Sequence, residues 1–105
     1  MTETAPDPDI RDNVDLKRYE LPIEGEVAVV AYNLTPPNLM VTETLVPARL
    51  EGRGIASRLA RRVIADVRER GLQLLPVCPF FSAYLQKHPE HADVVHPTYR
   101  GILGI

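Results

Sequence analysis

The stretch that decides the fold reads Arg49-Leu50-Glu51-Gly52-Arg53-Gly54 and leads directly into a segment with helical periodicity. Gly52 and Gly54 lack a Cβ, so the backbone can adopt positive φ and approach a bulky anion closely. The first turn of a helix leaves amide N–H groups unbonded, and together with the helix dipole they favour phosphate. Arg49 and Arg53 add positive charge and bidentate donors. The stretch therefore predicts a loop that wraps the phosphates of a nucleotide-like ligand at a helix start.

The segment after this loop is the clearest helix of the sequence and is predicted to cover residues 52–70. Ile55, Leu59, Val63 and Val67 fall on one apolar stripe, and Gly71 stands where a left-handed C-cap is expected. Much of the other side is basic: Arg58, Arg61, Arg62, Arg68 and Arg70. A face of this kind could bind nucleic acid, but the net charge of −2 and the lack of interleaved aromatic residues oppose that function. We expect a solvated face and no nucleic-acid partner.

Apolar runs before the loop predict three antiparallel strands, over residues 17–23, 26–34 and 39–46. Glu24-Gly25 supplies a hairpin turn between the first two strands. The middle run is apolar at both odd and even positions, which point to opposite faces of a sheet, and this predicts a strand covered on both faces. The last strand has the polar residues Thr42, Glu43 and Thr44 in its middle, which is unusual for a central strand.

After the long helix, the pattern predicts a short strand over residues 72–78 and a second helix from Pro79 to about Lys87. One further turn is expected over residues 90–95. The order of three strands, helix, strand and helix predicts an α+β domain with a mixed sheet and one β-α-β crossover.

The chain has a length suited to one domain, which we expect to span residues 14–105, after a loose acidic tail over residues 1–13. The single cysteine, Cys78, excludes an internal disulfide and fits a reducing compartment. The first twelve residues resemble neither a secretory signal nor a transit peptide, and no apolar run approaches the roughly 20 residues that cross a bilayer. These features predict a cytoplasmic protein with no membrane partner.

Two common glycine motifs do not fit the loop. The phosphate loop of nucleotide triphosphatases needs Lys and then Ser or Thr, and neither follows Gly54; the dinucleotide fingerprint needs a third glycine where Ser57 stands. The spacing Arg-x-x-Gly-x-Gly-Ile-Ala, from Arg49 to Ala56, instead resembles the coenzyme A-binding loop of the GNAT acetyltransferase superfamily. In that superfamily the loop binds the pyrophosphate. The alternative is a helix start that only uses glycines in a turn.

Motifs outside the loop extend this resemblance to the abbreviated, single-domain (YjdJ-type) branch over residues 15–95. They are Leu45-Val46-Pro47, Pro76-Val77-Cys78-Pro79-Phe80, Tyr84 and Lys87-His88-Pro89-Glu90-His91-Ala92-Asp93. That branch usually has a histidine where this chain has Glu43. The resemblance implies a GNAT-like three-layer α/β/α domain with a mixed sheet of about four to five strands. It also implies acetyl-CoA as co-substrate and no metal.

The resemblance further implies that an amine attacks the acetyl thioester directly, and it assigns a set of residues to coenzyme A. They are Leu45, Val46, Arg49, Leu50, Glu51, Gly52, Arg53, Gly54, Ile55, Ala56, Ser57 and Lys87. Glu43 is the candidate general base, with a solvated strand residue as the alternative. Tyr84 is the candidate proton donor to the leaving thiolate, with a core aromatic as the alternative.

Cys78 precedes a helix N-terminus, a setting that can activate a thiol for a covalent acetyl-cysteine step. Such a step would need a base, for which His88 is the candidate; the alternative is a small buried apolar residue. The spacing of Cys78 with the three histidines, His88, His91 and His96, matches no structural zinc pattern, so no metal site is expected.

Together these features predict an acetyl-CoA-dependent N-acetyltransferase that acts on a small-molecule or protein amine. The alternative is a catalytically weak or inactive module of the same fold that binds coenzyme A or another protein. We expect a monomer or a weak homodimer.

Overall fold

The computed structural model of the protein describes residues 7–105. Its elements in chain order are β1 (Arg11–Asn13), β2 (Arg18–Ile23), β3 (Glu26–Thr35), β4 (Asn38–Leu45), a 3₁₀ turn (Ala48–Leu50), α1 (Ile55–Arg70), β5 (Gln73–Pro76), α2 (Pro79–Lys87), a second 3₁₀ turn (Pro89–Val94) and α3 (Pro97–Leu103). The strands form one five-stranded sheet in sequence order, antiparallel except for the parallel pair β4–β5. The predicted α+β fold with one β-α-β crossover, through α1, is confirmed.

The core lies between one face of the sheet and the apolar stripe of α1. Ile55, Leu59, Val63 and Val67 are all buried, and α1 ends at Gly71, which has a φ of +66°. They belong to one cluster with alternate residues of β3 and with side chains of the neighbouring strands and α2: Ala28, Val30, Tyr32, Leu39, Val41, Leu74, Phe81 and Leu85. Each fully buried Val, Leu, Ile or Phe side chain among them contributes about 1.5–3 kcal/mol by leaving water. Burial of the apolar stripe that the sequence predicts therefore holds α1 on the sheet.

The opposite face of β3 is only partly covered, so the prediction of a strand covered on both faces holds at Val29, which is 9% exposed, but not along the whole strand. Val27 is 46% exposed and Asn33 is also exposed on that face. Beside them, Glu20 of β2 accepts hydrogen bonds from Arg18 at 2.7 Å and Asn13 at 3.1 Å. Such a polar network needs no apolar cover. Within residues 7–105, no helix covers Val27 or Asn33 on this face of the sheet.

The predicted loose tail is wrong for residues 7–13, while residues 1–6 lie outside the part of the chain that the structure describes. Residues 11–13 form β1 and pair with β2, and Ile10 is only 3% exposed in the core cluster. The acids have partners: the Tyr32 hydroxyl donates to Asp12 at 2.6 Å, and Arg58 donates to Asp7 at 2.8 Å. One buried apolar residue and several paired carboxylates are enough to hold this segment on the domain.

The C-terminal helix α3 is a further element that the sequence pattern does not predict. It begins with Pro97, and the His96 side chain accepts a hydrogen bond from the Thr98 amide at 3.2 Å. Just before it, Val95 forms an isolated parallel bridge with Leu74 of β5. Within residues 7–105, no helix combines the length and apolar character needed to cross a bilayer.

Candidate functional site

Strands β4 and β5 stop pairing before β4 reaches its C-terminal end, which leads into the glycine loop. Their parallel pairing ends at Val41 and Pro76, and the Cys78 amide still donates to the Val41 carbonyl at 3.0 Å. Strand β4 continues to Leu45, and over this extension its pairing within the described chain is with β3. The edge of β4 that would face β5 is therefore open over residues 42–45.

A bulge in β4 at this point decides which side chains face the helices. The register with β3 moves from Tyr32↔Val41 to Ala31↔Glu43, so Thr42 is an extra residue, and its hydroxyl donates to the Ala31 carbonyl at 3.3 Å. Because side chains alternate along a strand, the extra residue exchanges the two faces of the strand. Beyond the bulge, Thr44 faces the helices, whereas Glu43 faces the open side of the sheet.

The glycine loop connects this strand end to α1. The buried Leu50 fixes the 3₁₀ turn before it, and Gly52 and Gly54 adopt φ of +82° and +75°. Gly54 is the N-cap of α1, and no side chain caps the first turn. The amide N–H groups of that turn are therefore available to a ligand, at the positive end of the helix dipole.

These elements enclose a cleft of about 340 Å³ between the loop, the end of β4 and the start of α2. Its lining residues are Thr44, Val46, Leu50, Glu51, Gly52, Gly54, Ile55, Ala56, Ser57 and Phe80. The small residues Ala56 and Ser57 leave room beside the free amides. Most of the residues that the sequence assigns to coenzyme A thus share one cleft.

Two lining residues, Thr44 and Phe80, are not among the residues that the sequence assigns to coenzyme A or to catalysis. The polar middle of β4 indicates a site, but alternation along the strand does not show that Thr44 rather than Glu43 faces the cleft. Phe80 lies in the Cys-Pro-Phe motif, in which the residue type marks only the cysteine as a candidate for chemistry. Its side chain lines the cleft because α2 begins at Pro79, directly beside the strand end.

The two loop arginines lie outside the cleft lining and contact the tip of the β2–β3 hairpin. Arg49 Nη1 donates to Glu24 Oε1 at 3.1 Å, and Arg49 also contacts the Glu24 carbonyl and the Glu26 carboxylate. Arg53 donates to the other carboxylate oxygen of Glu24. The hydrogen bond from Arg53, and after it the one from Arg49, is the main reason why the pKa of the Glu24 carboxyl lies below its ordinary value.

Three more of the predicted site residues lie away from the cleft lining. Leu45 is 51% exposed and pairs with Val29, so its side chain lies on the face of the sheet that points away from the helices. Glu43 is exposed on the open face of the sheet, and Lys87 is exposed at the last turn of α2.

Cys78 and Tyr84 are both buried. The Cys78 sulfur is 3.2 Å from the Thr44 hydroxyl, at the margin of the cleft. The Tyr84 ring packs among Phe80, His88 and His91, with ring centroids 6.0, 4.4 and 6.5 Å away, and does not line the cleft. His88, the predicted base for the thiol, lies at the opposite end of α2 and pairs with Glu90 at 3.5 Å.

A second cleft, of about 590 Å³, lies on the arginine face of α1 and includes His91. Its arginine charge is largely neutralised within the molecule: Arg58 pairs with Asp7 at 2.8 Å, Arg62 with Asp66 at 3.1 Å and Arg68 with Asp93 at 2.9 Å. Between residues 7 and 105, no three His, Cys, Asp or Glu side chains converge in a way that could hold a metal ion. The glycine-loop cleft, where unbonded amides meet an open strand edge, is therefore the better candidate site.

Comparison with known families supports this choice. Residues 18–94 match the profile of a family described as GCN5-related N-acetyltransferase, whereas no curated protein matches the chain significantly. The match begins with β2 and ends at Val94, so it includes the bulged strand, the glycine loop, α1 and α2. The chain belongs to the GCN5-related N-acetyltransferase family.

Proposed function

We propose that this protein is an acetyl-CoA-dependent N-acetyltransferase in which an amine attacks the thioester directly. The single observation that carries this proposal is the cleft, which joins the uncapped first turn of α1 to the open edge of β4. One end of the cleft offers donors for phosphate, and the other offers strand amides for a carbonyl oxygen. An acyl-coenzyme A has both groups, separated by a long flexible arm.

The loop end of the cleft suits the pyrophosphate. The first amides of α1, at Ile55, Ala56 and Ser57, supply N–H donors together with the helix dipole, and Gly52 and Gly54 allow close approach. Arg49 and Arg53 are near enough in the chain to add charge-assisted hydrogen bonds when they turn from the hairpin to the ligand. The apolar wall formed by Val46, Leu50 and Phe80 suits the arm of the coenzyme.

The strand end of the cleft suits the reacting groups. A backbone N–H near Leu45 or Val46 is the donor to the developing oxyanion, a contact that contributes about 3–4 kcal/mol where it is preorganised. The amine nitrogen bonds to the carbonyl carbon, the carbon–sulfur bond breaks and the thiolate leaves. Glu43, on the other face of β4, takes the proton from the attacking amine directly or through a water. The acetyl donor and the acceptor thus approach β4 from opposite sides.

We assign no step to Tyr84 or Cys78. The Tyr84 ring packs outside the cleft lining, and the thiol of Cys78 has the Thr44 hydroxyl as its side-chain partner rather than a base. The position of Tyr84 favours a second candidate function, a module that binds coenzyme A without turnover, because this predicted proton donor to the thiolate does not line the cleft. The acceptor, a small-molecule or protein amine, stays a prediction, as do the monomeric or weakly dimeric state and the cytoplasmic location.

Turnover of acetyl-CoA against a panel of amines, followed by release of free thiol, tests this function. We expect thiol release that depends on an amine, and Cys78→Ala should retain it because attack is direct. Calorimetric binding of coenzyme A without thiol release for any amine would favour the binding module. Loss of transfer in Cys78→Ala, together with an acetyl adduct on Cys78 by mass spectrometry, would contradict direct attack.

A further inference from the structure

The tip of the β2–β3 hairpin presents one carboxylate to both arginines of the glycine loop. Each carboxylate oxygen of Glu24 binds a different arginine, Oε1 with Arg49 and Oε2 with Arg53. The Glu24 carbonyl oxygen adds a third contact, to Arg49. Glu24 and Gly25 both have positive φ, +51° and +79°, as a two-residue hairpin turn of this twist requires. The turn therefore places an anion where the guanidinium groups on either side of the glycines converge.

A carboxylate held by two guanidinium groups uses the same donors that a phosphate would use. Arginine binds carboxylate and phosphate in the same bidentate geometry. A pyrophosphate at the start of α1 therefore competes with Glu24 for the donors of Arg49 and Arg53, and with Glu26 for the Nε donor of Arg49. The exchange is feasible because these side chains are about half exposed, at 51% for Arg49 and 49% for Glu24, and ion pairs in such positions are weak.

We propose that Glu24 is an internal anion that occupies Arg49 and Arg53 in the free protein and is displaced from them by the pyrophosphate of coenzyme A. The inference rests on the proposed function, because it concerns the same cleft. It makes Glu24 a specificity-determining residue: a ligand without a pyrophosphate, such as acetyl-pantetheine, cannot replace the carboxylate on both arginines. A ligand must therefore carry enough negative charge to replace the Glu24 carboxylate on both arginines.

Calorimetric titration with coenzyme A, comparing the wild-type protein with Glu24→Gln, tests this exchange. Glutamine keeps the size of the side chain and removes its charge, so we expect binding to tighten about three- to tenfold, the range that one or two exposed ion pairs can supply. The affinity should also fall more steeply with salt concentration. Without the Glu24 carboxylate, the arginines associate with anions from solution, and binding of coenzyme A releases these anions. Glu69→Gln, an exposed change at the far end of α1, removes the same charge and should leave the affinity and its salt dependence unchanged.

The possible outcomes separate the exchange from the proposed function. Weaker binding by Glu24→Gln would mean that the carboxylate holds the arginines in place for the ligand, which overturns the exchange. Unchanged affinity with an unchanged salt dependence also overturns it. Absence of binding by the wild-type protein and the variant alike would contradict the proposed function itself, and the exchange with it.

Discussion

Gly54 is the residue whose backbone conformation matters both for the fold and for the proposed binding of coenzyme A. Its φ of +75° makes it the left-handed N-cap of α1, and an added Cβ would meet no atom within 4 Å. The cost of a side chain at this position is therefore conformational rather than steric. Because the same backbone angles direct the first amides of α1 into the cleft, strain at Gly54 and loss of ligand affinity should appear together.

Gly54→Ala should lower the free energy of unfolding by about 1 kcal/mol, the cost of placing a residue with a Cβ in the left-handed region. It should also weaken the binding of coenzyme A, since relief of this strain moves the loop. Urea denaturation measures the first effect and calorimetry the second.

Gly104→Ala is the matched control, because Gly104 has a φ of +72° with equally open surroundings but caps α3. It should show a similar loss of stability with unchanged affinity. Equal effects of the two variants on binding would contradict the role given to the loop.

In the proposed mechanism, Glu43 is the general base on which the rate depends most. It is exposed on the face of β4 opposite Thr44, so an acceptor can reach it without entering the glycine-loop cleft. Glu43→Gln should slow acetyl transfer by about 100-fold or more and flatten its pH profile, because removal of a general base has effects of this size. Binding of coenzyme A, measured separately, should not change. A variant with the rate and pH profile of the wild-type protein would exclude Glu43 as the base.

The sequence predicts which residue types line the loop, but it does not predict their partners. The glycines and the helix start could be identified because local backbone requirements determine them. The engagement of Arg49 and Arg53 with Glu24 could not be predicted, since it depends on how a hairpin about 25 residues earlier in the chain meets the loop. Side-chain partners of exposed charges follow from tertiary packing, which periodicity does not describe.

Strand β4 shows that the alternation of residues along a strand does not always predict which side chains share a face of the sheet. The polar run Thr42-Glu43-Thr44 was recognisable, but one extra residue at Thr42 decides that Thr44 rather than Glu43 lines the cleft. The sequence does not mark this bulge, because the extra residue, Thr42, is of a type that also occurs within regular strands. The boundaries of α1 and α2, in contrast, follow from their apolar stripes, the glycine cap and the first-turn proline.

Strand β1 shows why composition alone misplaced the N-terminal boundary. Its residues carry too little apolar surface to predict an ordered segment, yet Glu20 of β2 binds Arg11 and Asn13 across the strand pair. Arg18 chiefly, with Asn13 and Arg11, holds the pKa of the Glu20 carboxyl below its ordinary value of 4.5. Because the folded-state pKa is lowered, Glu20 stabilises the fold above that ordinary value and loses this effect as pH falls through the lowered one.

Glu20→Gln should therefore reduce the free energy of unfolding at pH 7 by about 1 kcal/mol, since charge-assisted hydrogen bonds to partly exposed arginines are lost. Its stability should also fall less steeply than that of the wild-type protein as the pH drops below about 4.5. Urea denaturation at a series of pH values measures both effects, with Glu69→Gln as the control for charge. Parallel pH profiles for Glu20→Gln and the wild-type protein would show that this cluster does not hold β1.

Taken as a whole molecule, the protein forms its site where three elements end or begin together: β4, the glycine loop with α1, and α2. The sequence predicts the order of these elements, and hence the mixed sheet and the crossover, because hydrophobic periods and breakers mark each of them. It does not predict the open face of the sheet. That depends on a polar network around Glu20 whose members are distributed over β1 and β2.

Titration of the ¹⁵N-labelled protein with coenzyme A shows whether the coenzyme binds in the glycine-loop cleft. We expect the backbone amide shifts to change chiefly at residues 50–57, with further changes at Thr44 and Phe80. Smaller changes should reach Glu24 as its arginines leave it. Shift changes centred on the arginine face of α1, around Arg61 and Arg68, or no changes at saturating coenzyme A, would show that the coenzyme does not bind in the glycine-loop cleft.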